Sequence, residues 1–232
     1  MPTQRVIWIP WQSGTCDCDF FARSQQWQGA RPDKNYIIVS WNPNSVSYYL
    51  GNLIGLQCEI YMRGHGVAGD PTINPTNTAN NPNRILIYES IDRICQMGLK
   101  ATFQGKIKFY SCFSALDGAD RTRTVYKPKP KWGVGQARFG PTVLTEKQVP
   151  IPRPEGTWDP LARRGAAYFR SLGFNFCTFW GYRGVCSGEM QNEGENDGLA
   201  HRHVQPMVVN PATGILQAAG AEGRASTLRS QF

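Results

Sequence analysis

The chain has 232 residues, of which 41% are hydrophobic and 18% charged, and its 25 Lys and Arg against 17 Asp and Glu leave a formal net charge of +8. This composition excludes a disordered tail and a coiled coil, while 24 glycines and 16 prolines indicate many turns. No apolar run approaches the roughly 20 residues that a membrane-spanning helix needs, and the start, MPTQRVIWIPWQ, lacks the basic segment and long apolar core of a secretory signal. We therefore expect a loop-rich globular protein with no membrane partner.

Four apolar or β-branched runs predict strands, at residues 36–41, 58–62, 106–110 and 176–180. Apolar residues at helical spacing predict three helices between them, at 46–54, 87–95 and 161–172, the last with Asp159 as its N-cap. Strands that alternate with crossover helices are typical of a mostly parallel sheet. The chain is thus predicted to be a single α/β domain over residues 1–232.

Two segments interrupt this alternation. Residues 117–157 keep no period and form a long predicted loop, whose part 121–138 holds six Lys and Arg and no Asp or Glu. The tail from about residue 184 is predicted to be less regular, with an acidic run at 189–197 that is most simply a solvated loop.

The seven cysteines are an odd number scattered along the chain, so they cannot all pair within it. A reducing compartment suits such a chain best. We expect the protein to be cytoplasmic, or to be delivered by a specialised secretion system that needs no cleavable signal peptide.

Two reactive side chains follow predicted strands. His65 lies just beyond the second strand and Cys112 just beyond the third. Because parallel strands end at the same edge of a sheet, both residues are predicted to meet at one rim. A cysteine hydrolase needs a thiolate nucleophile, an imidazole that transfers protons and N–H groups that stabilise an oxyanion. Gly66 has no side chain, so its N–H is open to a substrate carbonyl and could be one of these donors.

The segments EIYMRGHG and KIKFYSCFSA, in which Cys112 follows His65 by 47 positions, resemble the caspase-like superfamily of cysteine peptidases: caspases, metacaspases, gingipains and separase-like proteins. PLARRGAAYFRSLGF and FWGYRG are similar to the helix and strand after the cysteine in bacterial members, so the resemblance spans about residues 36–184. It implies a caspase-like sandwich and a peptidase that acts on protein or peptide substrates without a metal or organic cofactor. Cys112 would be the nucleophile, His65 the general acid and base, and the N–H groups of Gly66 and Cys112 the oxyanion hole.

The sequence departs from the family pattern at Tyr110. Metacaspase-like members carry an acidic residue two positions before the cysteine, where it helps to receive a basic substrate side chain, and caspases carry Gln. Tyr110 would contact the substrate, and the preferred cleavage residue stays open.

Other interpretations compete with this one. Cys16, Cys18, His201 and His203 could ligate zinc, although their spacing is unlike that of a zinc knuckle; their structural alternatives are an N-terminal loop and one face of a strand.

The basic segment 121–138 has the composition of a nucleic-acid site, yet its Lys-Pro repeats favour a solvated linker, so nucleic acid is not the expected partner. The alternative function is a noncatalytic interaction module on the same fold, which would bind an acidic protein or nucleic acid through this segment.

Overall fold

The computed structural model describes residues 4–14, 20–53, 55–76, 81–116, 122–128, 144–150, 159–192, 200–210 and 216–232. Its α-helices are α1 (Phe20–Ala30), α2 (Tyr48–Gly51), α3 (Ile87–Gln96) and α4 (Leu161–Ser171). Its strands are β1 (Arg5–Ile9), β2 (Tyr36–Ser40), β3 (Glu59–Arg63), β4 (Thr72–Ile73), β5 (Ile85–Leu86), β6 (Lys106–Tyr110), β7 (Thr122–Pro128), β8 (Leu144–Pro150), β9 (Thr178–Tyr182), β10 (Gly184–Asn192), β11 (Ala200–Val209), β12 (Leu216–Ala218), β13 (Gly223–Arg224) and β14 (Arg229–Gln231).

Six strands form the central sheet, in the order β14-β9-β6-β3-β1-β2. All neighbours are parallel except β14, which pairs antiparallel with β9 at one edge. Each parallel connection crosses over through a helical segment, as the alternation of strands and helices predicts. The predicted α/β class with a mostly parallel sheet is confirmed.

The sheet buries a different core on each face, because successive side chains of a strand point to opposite sides. Ile107 and Phe109 of β6 contact α3 and α4 through the larger aliphatic core. On the opposite face, Tyr110 lies in a smaller core rich in aromatic residues, together with Tyr36, Tyr61, Tyr182 and Trp27 of α1. The second face is therefore the one on which polar rings and cations meet.

The N-terminal strand was not among the sequence predictions, although it is central in the sheet. β1 lies between β2 and β3, and residues 6–9 are fully buried. The apolar run at residues 6–9 has only four members, which does not distinguish a strand from part of a buried helix, and its pairing on both sides identifies it as a strand.

The predicted helix at 46–54 is wrong in its extent. α2 covers only Tyr48–Gly51, and its N-cap is Ser47, whose Oγ accepts from the Leu50 N–H at 3.4 Å. The Ser47 N–H donates instead to the Met97 carbonyl at 2.7 Å, which fixes this residue outside the helix. Val46, the first apolar residue of the predicted helix, is 74% exposed.

Two further boundaries differ. α4 begins at Leu161 as predicted, but Pro160 is its N-cap and no side chain caps it. β9 starts two residues later than predicted, at Thr178, and Phe176 is exposed.

The two interrupting segments contain strands. Within the predicted loop 117–157, β7 and β8 pair antiparallel. The tail from residue 184, expected to be less regular, forms an antiparallel ladder in which β11 pairs with β10, β12 and β13. The described helices include none that is long and apolar enough to span a bilayer.

Candidate active site

His65 lies two residues beyond the end of β3, and both its backbone and its ring are held. Its N–H donates to the Asn74 carbonyl at 2.9 Å, and its carbonyl accepts from the Asn74 N–H at 2.9 Å. Its ring contacts that of Phe20, the first residue of α1, with 4.7 Å between centroids. The imidazole is thus positioned between the start of α1 and the turn that carries Asn74.

Cys112 lies in the turn that follows β6, and this turn is tied to two other strands. The Phe113 N–H donates to the Gly184 carbonyl at 2.9 Å. The buried Ser114 hydroxyl donates to the Phe109 carbonyl at 2.7 Å and accepts from the Tyr182 N–H at 2.9 Å. Phe113 also has a positive φ of 57°, an unfavourable conformation for an aromatic residue. The nucleophile candidate therefore sits on a sharp and firmly anchored turn.

The parallel register of β3 and β6 brings the two residues to one place. Arg63 pairs with Tyr110, so both strands end at the same level of the sheet. His65 and Cys112 line one pocket of about 40 Å³, and both are only partly buried. The two reactive groups therefore share one small and partly open pocket.

Cys186 of β10, which sequence reasoning missed, is the immediate partner of Cys112. Its backbone N–H donates to Cys112 Sγ at 3.4 Å, and its side chain lines the same pocket. Burial raises the pKa of the Cys186 thiol well above its usual value, so this thiol stays protonated and can donate. Hydrogen bonds from Cys186, from its thiol first and then from its N–H, lower the pKa of Cys112 from 9.0 to about 7 although burial opposes them.

Gly66 packs directly against the turn of Cys112. A Cβ built at this position would lie 2.2 Å from Ser111 Oγ and 2.8 Å from the Cys112 carbonyl oxygen. Only glycine allows this approach, which places the backbone of residue 66 beside the nucleophile candidate.

Tyr110 also lines the pocket, and its ring is almost fully buried. It packs edge-on against Trp27 at 4.9 Å and against Tyr182 at 5.0 Å. Burial raises the pKa of its phenol well above the usual value, so the side chain is neutral. Tyr110 thus forms an uncharged part of the pocket wall.

The remaining predicted site residues lie apart from this pocket or outside the described residues. Cys16 and Cys18 fall in the second group, as does most of the basic segment 121–138. His201 and His203 lie in β11, as their strand interpretation predicts. Among the residues that the structure describes, no three His, Cys, Asp or Glu side chains group as a metal site would require.

Phe20, Asn74 and Cys186 complete the site, and none of them stands out in the sequence. Phe20 and Asn74 belong to segments without a clear period, and Cys186 lies in the tail that was expected to be less regular. Their positions depend on pairing and packing with distant elements, for which a single sequence carries no local signal.

Comparison of the chain with protein families, with curated proteins and with solved structures finds no match in any of the three.

Proposed function

We propose that the protein is a cysteine endopeptidase of the caspase-like type, with Cys112 as the nucleophile and His65 as the general acid and base. One observation carries this proposal: His65 and Cys112 line one pocket at the carboxyl edge of a parallel sheet, and hydrogen bonds favour the thiolate there. A partly exposed cysteine with a lowered pKa beside an imidazole is the arrangement that nucleophilic catalysis needs.

The reaction begins with attack of the Cys112 thiolate on the carbonyl carbon of the scissile peptide bond. The N–H groups of Gly66 and Cys112 would stabilise the resulting oxyanion. His65, protonated, gives a proton to the leaving amine as the C–N bond breaks, which leaves a thioester on Cys112. His65 then removes a proton from a water molecule, the hydroxide attacks the thioester, and the acid product leaves as the thiolate is restored.

Cys186 determines how the work is shared between the two residues. Since a pKa of about 7 makes roughly half of the Cys112 population thiolate at neutral pH, His65 need not generate the nucleophile in each turnover. Its main role is then to protonate the leaving amine.

The caspase-like assignment of the fold rests on the order of the elements. A strand that ends in His-Gly and the next strand of the sheet, which ends in Ser-Cys, are joined through α3 and are direct parallel neighbours. Helices cover both faces of the sheet, which supports a sandwich.

The test is covalent labelling with a set of peptides that end in an electrophilic ketone and differ in the residue before it, followed by mapping of the modified side chain. We expect modification at Cys112, loss of labelling and of peptide hydrolysis in Cys112→Ala, and a loss of about 10²–10⁴ in kcat in His65→Ala. Cys177→Ala is the matched control, because this buried cysteine precedes β9 and does not line the pocket of Cys112. Full hydrolysis by folded Cys112→Ala would refute the proposal.

A further inference from the structure

A second cavity, of about 290 Å³, lies at the end of the central sheet where the parallel strands β1, β2 and β3 begin. Arg5, Tyr36 and Glu59, the first residues of β1, β2 and β3, line it. Since Cys112 follows the other end of a parallel strand, the two sites are on opposite edges, and they share no lining residue. The cavity therefore needs an explanation of its own.

The lining of this cavity is strongly positive. Seven basic side chains and one acidic side chain, Glu59, form it. Asp33, just outside the lining, pairs with Arg31 at 2.8 Å and with Lys34 at 3.2 Å, which leaves a formal excess of five positive charges. Glu59 is already engaged: its carboxylate accepts from Arg5 Nε at 3.2 Å, from Lys108 Nζ at 2.8 Å and from the Tyr61 hydroxyl at 2.5 Å. One carboxylate cannot balance the cations around it.

Arg202 of β11 has a buried donor atom that points most directly to an anionic ligand. Its guanidinium lies over the Tyr61 ring at 4.1 Å and the Trp27 ring at 4.7 Å, and Nη2 donates to the Tyr61 hydroxyl at 3.0 Å. Its Nη1 is buried and has no hydrogen-bond partner among the described residues. Buried donors are almost always partnered, and an unpartnered charged donor is costly, so this atom calls for an acceptor in the cavity.

Lys108 shows the same excess of positive charge. Its side chain is 4% exposed and contacts both Glu59 and the Tyr61 hydroxyl. Burial, together with repulsion from Arg202, lowers the pKa of Lys108 to about 7, although Glu59 opposes this change. An anion in the cavity would restore its charge.

Further cations come from separate segments of the chain. Lys34 lies in the short 3-10 turn before β2, Arg224 in β13 and Arg229 in β14. Side chains from several separate elements converge on this volume, which lies near the lower end of the roughly 300–1,000 Å³ range of ligand pockets. It therefore suits a small molecule better than a nucleic acid or an acidic protein.

We propose that this cavity binds a small polyphosphorylated anion, a molecule that carries at least two phosphoryl groups. Arg202 and Lys108 would donate to phosphate oxygens at the bottom, and Lys34, Arg224 and Arg229 would donate around the mouth. Arginine and lysine are the usual partners of phosphate, and five surplus charges exceed what a single phosphate would balance. The proposal is independent of the peptidase assignment.

Titration calorimetry with inorganic tripolyphosphate, pyrophosphate and orthophosphate tests this. We expect tripolyphosphate to bind most tightly and orthophosphate least, with an affinity that falls as salt rises. The affinity for ATP, compared with that for tripolyphosphate, shows whether the Tyr36 and Tyr61 rings that line the cavity contribute to binding or the phosphates alone are recognised. Lack of tripolyphosphate binding at about 1 mM, or tighter binding of a short DNA duplex than of tripolyphosphate, would overturn the proposal.

Three variants and two controls locate the site. Arg202→Met should abolish tripolyphosphate binding, and Arg229→Gln should weaken it about tenfold. Lys100→Gln, which removes one exposed charge elsewhere, should bind as the parent protein does. If Arg202→Met does not fold, Arg229→Gln and Lys34→Gln decide the matter, and equal affinity in these two and in Lys100→Gln would refute the proposal. Cys112→Ala should retain binding, whatever its effect on hydrolysis.

Discussion

Replacement of Cys186 by alanine tests how the reactivity of Cys112 is controlled. The substitution removes the Cys186 side chain, which lowers the Cys112 pKa most, and leaves the backbone N–H, which donates to Cys112 Sγ at 3.4 Å. Since the side-chain hydrogen bond has the largest effect on the Cys112 pKa, most of its lowering should be lost.

The pKa of Cys112 sets the scale of the expected change in thiolate fraction. The pKa of Cys112 lies at about 7 against 9.0 for a free thiol, and two units correspond to about 2.7 kcal/mol. At pH 7 the thiolate fraction is roughly one half at the first value and roughly one hundredth at the second, so a return to the free value lowers the fraction about 50-fold. A thiolate of higher pKa is a stronger nucleophile, so the observed rate should fall less than the thiolate fraction does.

The assay is the rate of alkylation of Cys112 by iodoacetamide from pH 5 to pH 10, followed by mass spectrometry of the peptide that contains it. The midpoint of the rate profile should move upward in Cys186→Ala. It should stay near that of the parent protein in Cys186→Ser, whose hydroxyl also donates, and in Cys177→Ala, which removes a buried thiol elsewhere.

An unchanged midpoint in folded Cys186→Ala would refute this reasoning. It would mean that the Cys186 thiol does not stabilise the thiolate of Cys112. A midpoint equally raised in Cys177→Ala would assign the change to general loosening of the core.

Three further variants test other contacts. Gly66→Ala should lower the free energy of unfolding by about 1–3 kcal/mol in urea denaturation, because its Cβ would overlap Ser111 Oγ and the Cys112 carbonyl. Glu59→Gln should remove the stability that the parent protein loses as pH falls from 4.5 to about 2, up to about 3 kcal/mol, because its cation partners lower the Glu59 pKa to about 2 despite burial. In the parent protein the free energy of unfolding should rise between pH 7 and 10, because the Lys108 pKa is about 7 in the folded state and the folded state therefore binds fewer protons than the unfolded state. Lys108→Met should lack this rise.

Each variant has a control or a contrary outcome. Gly29→Ala, in the exposed face of α1 with nothing within 4 Å of the new Cβ, should stabilise the protein by up to about 1 kcal/mol. Similar effects of the two glycine substitutions would contradict the close approach at Gly66. If Glu59→Gln loses as much stability between pH 4.5 and 2 as the parent protein does, the ion pairs of Glu59 do not account for that loss. A rise in stability above pH 7 that persists in Lys108→Met would have to come from another group.

Local patterns were sufficient for elements that carry their own period. The apolar run at 106–110 coincides with β6, and the spacing of Ile87, Ile91 and Ile94 predicts α3, where all three are buried. The same patterns failed at 46–54, where the Ser47 N–H donates to the Met97 carbonyl and the helix begins only after Ser47. A contact between residues so far apart in the chain cannot be read from the spacing of apolar residues.

The sequence by itself determined that His65 and Cys112 each follow a strand of an α/β sheet, because the apolar pattern of a strand is a local property. Only the tertiary structure decided what surrounds them. Cys186 meets Cys112 across 74 positions, and Arg202 meets Tyr61 across 141, both because the ladder of β10 and β11 packs on the aromatic face of the sheet. Hydrogen bonds to a thiolate and the gathering of cations depend on which distant elements share a face, and this is set by packing of the whole chain.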